Sequence, residues 1–339
     1  LLVLKGALLR RGLLVEWRHA INGYFHSMLY QLLKIGMRMA LPLFAKRIHI
    51  TNREALQTKG PLLLAVNHPN SFLDAILLGA YMKEPVHFIT RGDVFKHAFV
   101  RRMLGILNMI PIYRIRDGKD KLSLNEQTFL KSVEVLRNNG VLLIFVEGFC
   151  EHQTTLQLPL KKGAPRILQS CWQQGIDAKV LPIWLQYSSF DRIGKTIHIR
   201  LGEVFGQEIA SDINSATCMP KINAKTGGQL LHLYNAEKFE HKPPATWQRL
   251  ILFLPALLGA VLHAPLYLPT AAFTKWVSKD NVHYDSILLV LLFVLYPLCL
   301  LIISIVLFQF TVQAFVFPVI LLGLPTLALS LIHWKTDYK

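Results

Sequence analysis

The pattern of apolar and polar positions divides the chain into regions of different character. Between residues 47 and 240, short apolar runs alternate with stretches of helical periodicity. Strands are predicted at 47–51, 61–66, 85–90, 109–113, 141–146, 179–187 and 196–204, and helices at 71–82, 93–105, 120–139, 162–175 and 226–240. Strands alternating with helices of this length predict an α/β domain whose mixed, largely parallel sheet is flanked by helices. The polar stretch Ser211 to Gly228 reads as a loop. Pro243-Pro244 ends the domain, since neither proline can continue a helix.

Beyond that boundary lie three apolar stretches, 250–273, 286–308 and 311–333. The last two are each long enough for a hydrocarbon core of about 30 Å and are joined only by Gln309-Phe310. They predict a transmembrane helical hairpin over 286–333. The stretch 250–273 contains Pro255, Pro265, Pro269 and His263, and is expected to be re-entrant or interfacial, with a full span as the alternative. At the other end, Leu1 to Leu14 carries Lys5, Arg10 and Arg11 among apolar residues, unlike a cleavable signal. Residues 25–45 mix apolar positions with Lys34 and Arg38. Residues 1–46 are therefore expected to form amphipathic helices in the membrane interface.

Charge sharpens this division. The chain has a net charge of +16, and from 250 to 334 only Lys275, Lys279, Asp280 and Asp285 are charged, summing to zero. A basic domain joined to an apolar tail fits attraction to an anionic membrane surface. Nucleic acid, the other partner a basic chain could have, is not expected: no nucleic-acid motif accompanies the charge. Both ends of the hairpin are positive, through Lys275 and Lys279 before it and Lys335 and Lys339 after it, which predicts that the α/β domain lies on the cytoplasmic face. Cys150, Cys171, Cys218 and Cys299 show no metal-ligand spacing and read as reduced thiols. No metal and no bound cofactor are expected.

Candidate chemistry gathers at the ends of two apolar runs. Leu62 to Val66 is followed by Asn67-His68-Pro69-Asn70-Ser71-Phe72-Leu73-Asp74, and Val141 to Val146 by Glu147-Gly148. Two polar clusters at the carboxyl ends of buried strands imply one site at the sheet edge. A histidine of near-neutral pKa suits removal of a hydroxyl proton, and a carboxylate on its other nitrogen would fix the tautomer. Ser71 to Asp74 also matches a capping box, and a capping carboxylate could still reach His68.

These segments resemble the glycerolipid acyltransferase family, whose motifs are NHxxxxD and FPEG. The resemblance implies transfer of a fatty acyl group from acyl-CoA or acyl-carrier protein to an acceptor hydroxyl. His68 would be the general base and Asp74 its orienter. The spacing here is five residues rather than four, as in the branch that acylates glycerol-3-phosphate or dihydroxyacetone phosphate. Val146 replaces the proline of FPEG, and Phe149-Cys150 the usual Thr-Arg. Glu147 and Gly148 are retained, and with Asn67 they are the expected substrate contacts. The missing arginine points to other cations for an acceptor phosphate. These are Arg114 after Ile110-Pro111-Ile112-Tyr113, Lys162 in Lys161-Lys162-Gly163, and Arg91 after the 85–90 strand. Expected partners are membrane lipids, the acyl donor, and glycerol phosphate or a lysophospholipid. The alternatives are a lyso-aminolipid acceptor, or a noncatalytic lipid-binding protein of the same fold.

Overall fold

The computed structural model describes residues 24–113, 123–236, 245–279, 281–311 and 315–334. Its centre is a seven-stranded sheet ordered β1-β7-β6-β2-β5-β3-β4. The strands are β1 Ala45–Thr51, β2 Leu62–Val66, β3 Val86–Arg91, β4 Met109–Ile112, β5 Val141–Phe145, β6 Lys179–Tyr187 and β7 Lys195–Leu201. All pairings are parallel except β6 with β7, so the sheet is mixed as the sequence predicts. The central strands β2 and β5 read as unbroken apolar runs because both of their faces are covered.

The two-residue alternation of β2 assigns the layers. Leu62, Leu64 and Val66 face a core with Leu73, Leu77 and Leu78 of helix α2 (Ser71–Tyr81). Leu63 and Ala65 face the opposite core. That core contains α4 (Leu124–Arg137), α5 (Gly163–Gln173) and α6 (Cys218–Asn235). A nine-residue helix, α3 (Ala98–Ile106), lies between β3 and β4.

Helix α6 meets the helix expected at 226–240 in its C-terminal half, but its start at Cys218 corrects the loop expected over 211–228. Its buried positions, Cys218, Ile222, Thr226, Gly227 and Leu230, recur at helical spacing, but two of the five are not hydrophobic, which hid the stripe. Pro220 is tolerated because it sits in the first turn.

Helix α1 (24–40) docks on the domain with one face. The Val86 N–H donates to the Tyr30 hydroxyl (3.1 Å), and the Lys34 ammonium donates to the Lys83 carbonyl (2.8 Å). Phe25, Met28, Leu32, Ile35 and Met39 remain exposed. Residues 1–23 lie outside the described residues.

Three apolar helices follow: α7 (Thr246–Ser278), α8 (Tyr284–Thr311) and α9 (Val316–Trp334), each long and apolar enough to cross a membrane. Gln309 and Phe310 are helical, so the connection in the hairpin falls later than expected. Its prolines do not break α7, which is one continuous helix without a reversal. Both of its ends stand near the domain. Trp247 and Ile251 lie beside Lys46 and Arg47, while Tyr267 and Ala271 pack on the α2-side core. Leu288 and Leu289 of α8 belong to that same core, and therefore the hairpin begins inside the α/β domain.

Candidate active site

The parallel strands β6, β2, β5 and β3 bring their carboxyl ends to one edge, and the chain places its polar clusters there. His68 follows β2, and its Nδ1 lies 2.8 Å from Asp74 Oδ2 in the first turn of α2. The same oxygen accepts the Asn70 backbone N–H at 2.8 Å, and Asp74 Oδ1 accepts the Tyr187 hydroxyl at 2.5 Å. Asp74 is fully buried. These donors meet it at the positive end of α2. Burial raises the Tyr187 pKa well above the ordinary phenol value, so the phenol stays a donor. The imidazole stacks on Phe145, with ring centroids 3.6 Å apart and planes inclined by 9°. With Nδ1 taken by Asp74, proton transfer to or from this ring would run through Nε2.

Glu147 buttresses this loop from the end of β5. Its Oε2 accepts the His68 backbone N–H at 2.7 Å, and its Oε1 accepts from Gln153 Nε2 and the Gln157 N–H, both at 2.9 Å. Burial raises its pKa, against the lowering effect of those backbone donors. Gly148 has φ +72°, and a Cβ there would come within 2.6 Å of the Lys161 side chain. Glycine is thus required twice, for the left-handed backbone and for the close approach. Cys150 directs its sulfur at the Ser71 N–H (3.0 Å), and burial, reinforced by Asp74, pushes its thiol up to about 12. It is a protonated acceptor rather than a nucleophile.

Residues 47–186 match a sequence model of the Acyltransferase family. The chain carries an acyltransferase-family domain. The match contains His68, Asp74 and Glu147 and stops one residue short of Tyr187. Among solved structures, the chain is similar to the crystal structure of the 1-acyl-sn-glycerophosphate (LPA) acyltransferase PlsC from Thermotoga maritima. The TM-score is 0.48 at 15% identity, over 64% of this chain and 83% of that one. No curated protein matches significantly.

In the acyltransferase domain, the sequence-selected residues fall into distinct places. His68, Asp74, Glu147 and Gly148 converge at the sheet edge. Asn67 sits beside them, but its buried carboxamide both donates to the Leu185 carbonyl (2.9 Å) and accepts the Leu185 N–H (2.7 Å). It ties β2 to β6 rather than facing a substrate. Arg91 ends β3 at the rim and forks onto Asp93. Lys162 heads α5 and is exposed; its neighbour Lys161 is the lysine that lies against Gly148. Arg114 lies outside the described residues. The expected Ser71 cap is not formed. Asn70 precedes the helix, and the Ser71 hydroxyl instead meets His283 Nδ1 at 2.5 Å.

Several residues of the site were not singled out by sequence. Tyr187 lies at the end of a predicted strand, where its register beside β2 could have placed it. Asn70, Lys195, His283 and Asp285 come together only through the fold. Among the described residues, no group of three His, Cys, Asp or Glu is arranged to hold a metal ion.

Proposed function

We propose that this protein is a membrane-associated O-acyltransferase that transfers a fatty acyl group from acyl-CoA or acyl-carrier protein to a hydroxyl of glycerol-3-phosphate or lysophosphatidic acid. The observation that carries the reading is His68 Nδ1 held by a fully buried carboxylate that has three donors, with Nε2 left for the substrate. His68 Nε2 takes the acceptor hydroxyl proton as the oxygen attacks the thioester carbon, and Asp74 stabilises the imidazolium. Collapse of the tetrahedral intermediate expels the thiolate, which recovers the proton from His68. No covalent acyl-enzyme is required. This agrees with a protonated Cys150 and a Ser71 hydroxyl engaged by His283 rather than His68.

The apolar helices and exposed face of α1 fit a product that remains in the bilayer. In this reading α7 lies along the interface, α8 and α9 cross, and the domain faces the cytoplasm. The positive domain attracts the phosphates of CoA or an acidic carrier protein. A lyso-aminolipid acceptor is the second reading, because Phe149 and Cys150 leave no cation directly after Glu147-Gly148.

The test is thiol release from long-chain acyl-CoA or acyl-carrier protein by the detergent-purified chain. Glycerol-3-phosphate, lysophosphatidic acid and a lyso-aminolipid are offered in turn, with wild type beside His68→Ala. Acceptor-dependent release that disappears in a folded His68→Ala protein supports the mechanism and identifies the acceptor. Release with no acceptor, or release unaffected by the substitution, refutes it.

A further inference from the structure

The head of the membrane hairpin reaches into the catalytic loop residue by residue. Besides the His283–Ser71 contact, Asp285 Oδ2 accepts Asn70 Nδ2 at 2.7 Å and pairs with the Lys195 ammonium. Ser286 Oγ accepts the Leu73 N–H at 2.9 Å and donates to the Asn70 carbonyl at 3.4 Å. Asn70, Lys195 and Asp285 are buried, with both charged side chains fully removed from solvent. Asn70 is also the residue whose N–H binds Asp74 Oδ2. Asp285 is therefore connected to His68 through Asn70 and Asp74 alone. Ser71, between these contacts, has φ +51°, a region that a serine enters only when its surroundings hold it there. Cys150 holds its N–H and His283 its hydroxyl.

A buried ion pair is a poor source of stability, because desolvation offsets most of the attraction and apolar residues often do as well. What Asp285 and Lys195 supply that apolar residues cannot is a fixed acceptor for Asn70. We propose that Lys195 and Asp285 are positioning residues: they set Asn70, and through it the Asp74 carboxylate, so that the head of the membrane hairpin is a structural part of the active site. The activity arm of this proposal rests on the acyltransferase reading above.

Two double variants of the full chain separate positioning from charge. Lys195→Met/Asp285→Leu removes both charges and the acceptor for Asn70. Lys195→Met/Asp285→Asn removes both charges but keeps a carbonyl that Asn70 can use. Steady-state kcat and KM for both substrates are measured in detergent, together with amide hydrogen exchange over residues 66–82. The Met/Leu protein is expected to lose about 10- to 100-fold in kcat with KM changed by less than about threefold, as for a misplaced catalytic group. Exchange across 68–74 should rise with it. The Met/Asn protein should recover most of the kcat and the protection. Equal kcat in wild type and both variants, or equal losses in both, overturns the proposal. If wild type transfers acyl groups to no acceptor, the acyltransferase reading fails and exchange alone decides. Faster exchange over 68–74 in Met/Leu but not Met/Asn supports positioning; unchanged exchange in both refutes it.

Discussion

Asp74→Asn separates the two roles that Asp74 could have, cap and catalytic partner. All three neighbours of the carboxylate are donors when His68 carries its proton on Nδ1: the imidazole N–H, the Asn70 N–H and the Tyr187 O–H. An amide can be placed here in one acceptable way. Its oxygen must take the Oδ2 position, because the reverse orientation would aim an NH2 group at the Asn70 N–H. The amide NH2 then faces Tyr187, whose hydroxyl can rotate to accept. In that orientation the cap and the tautomer both survive, and only the negative charge is lost. Two unit charges about 4 Å apart at an effective dielectric of about 20 interact by about 4 kcal/mol. At 1.36 kcal/mol per tenfold, stabilisation of the imidazolium on that scale is worth a fall of about 10³-fold in kcat. Thermal unfolding should change little, whereas Asp74→Ala, which orphans all three donors, should be destabilised by several kcal/mol. The assay is acceptor-dependent thiol release at saturating substrates, beside a melting curve. A folded Asp74→Asn protein with kcat within about tenfold of wild type would refute the pairing as a catalytic one and leave Asp74 as a cap.

Four further outcomes follow from the geometry. Cys150→Ser should keep kcat within about threefold, since a thiol held protonated supplies no nucleophile and the serine oxygen can accept the Ser71 N–H; a loss as large as that of His68→Ala would make Cys150 a catalytic candidate. Gly148→Ala should cost about 1–2 kcal/mol from the left-handed backbone alone, visible as a lowered melting temperature, with a further cost from displacing Lys161. Asn67→Ala should destabilise by about 1–3 kcal/mol for each Leu185 backbone group left unpaired, with KM for the acceptor unchanged; a raised KM would return Asn67 to the substrate contacts. His87, His152 and His283 are each held below the ordinary imidazole value, about 6.5, principally by burial. The unfolded chain then binds more protons in that range, so their contribution is complete above pH 6.5 or so and is lost as pH falls through the depressed values. Melting temperature against pH between about 7 and 5 should decline, and His87→Gln should flatten part of the slope.

How far the chain could be read depended on whether a signal was local. Strands β2 and β5 were legible because an unbroken apolar run bounded so closely by polar residues is too short for a buried helix and fits a strand covered on both faces. The His68–Asp74 pair was legible because both groups lie within one loop and the first turn that follows it. Helix α6 was legible only in its C-terminal half, within the helix expected at 226–240; its start at Cys218 was hidden because threonine and glycine complete the buried stripe. Asn67 was misplaced for a related reason. Sequence shows that a carboxamide stands beside His68, but not that Leu185, far along the chain on the neighbouring strand, consumes it. Lys162 was chosen because, unlike its neighbour Lys161, it stands at the start of the next helix. Only the packing shows that Lys161 lies against Gly148.

Asp285 shows how a signal can be present and misread. Counted with Lys275, Lys279 and Asp280 it merely balances the charge of the apolar tail, and the hairpin then looks like an anchor with no relation to the chemistry. Position matters more than the sum. An acid at the first turn of an otherwise apolar helix is costly unless a partner neutralises it, so it implies a cation or donor nearby. The tail's own lysines are not that partner. Lys195, at the start of β7, lies on the same sheet edge as Tyr187 because β7 runs antiparallel to β6. The hairpin satisfies its acid by docking at the carboxyl edge where His68 stands. The same electrostatic requirement that holds this apolar helix to the domain brings it to His68 and Asp74.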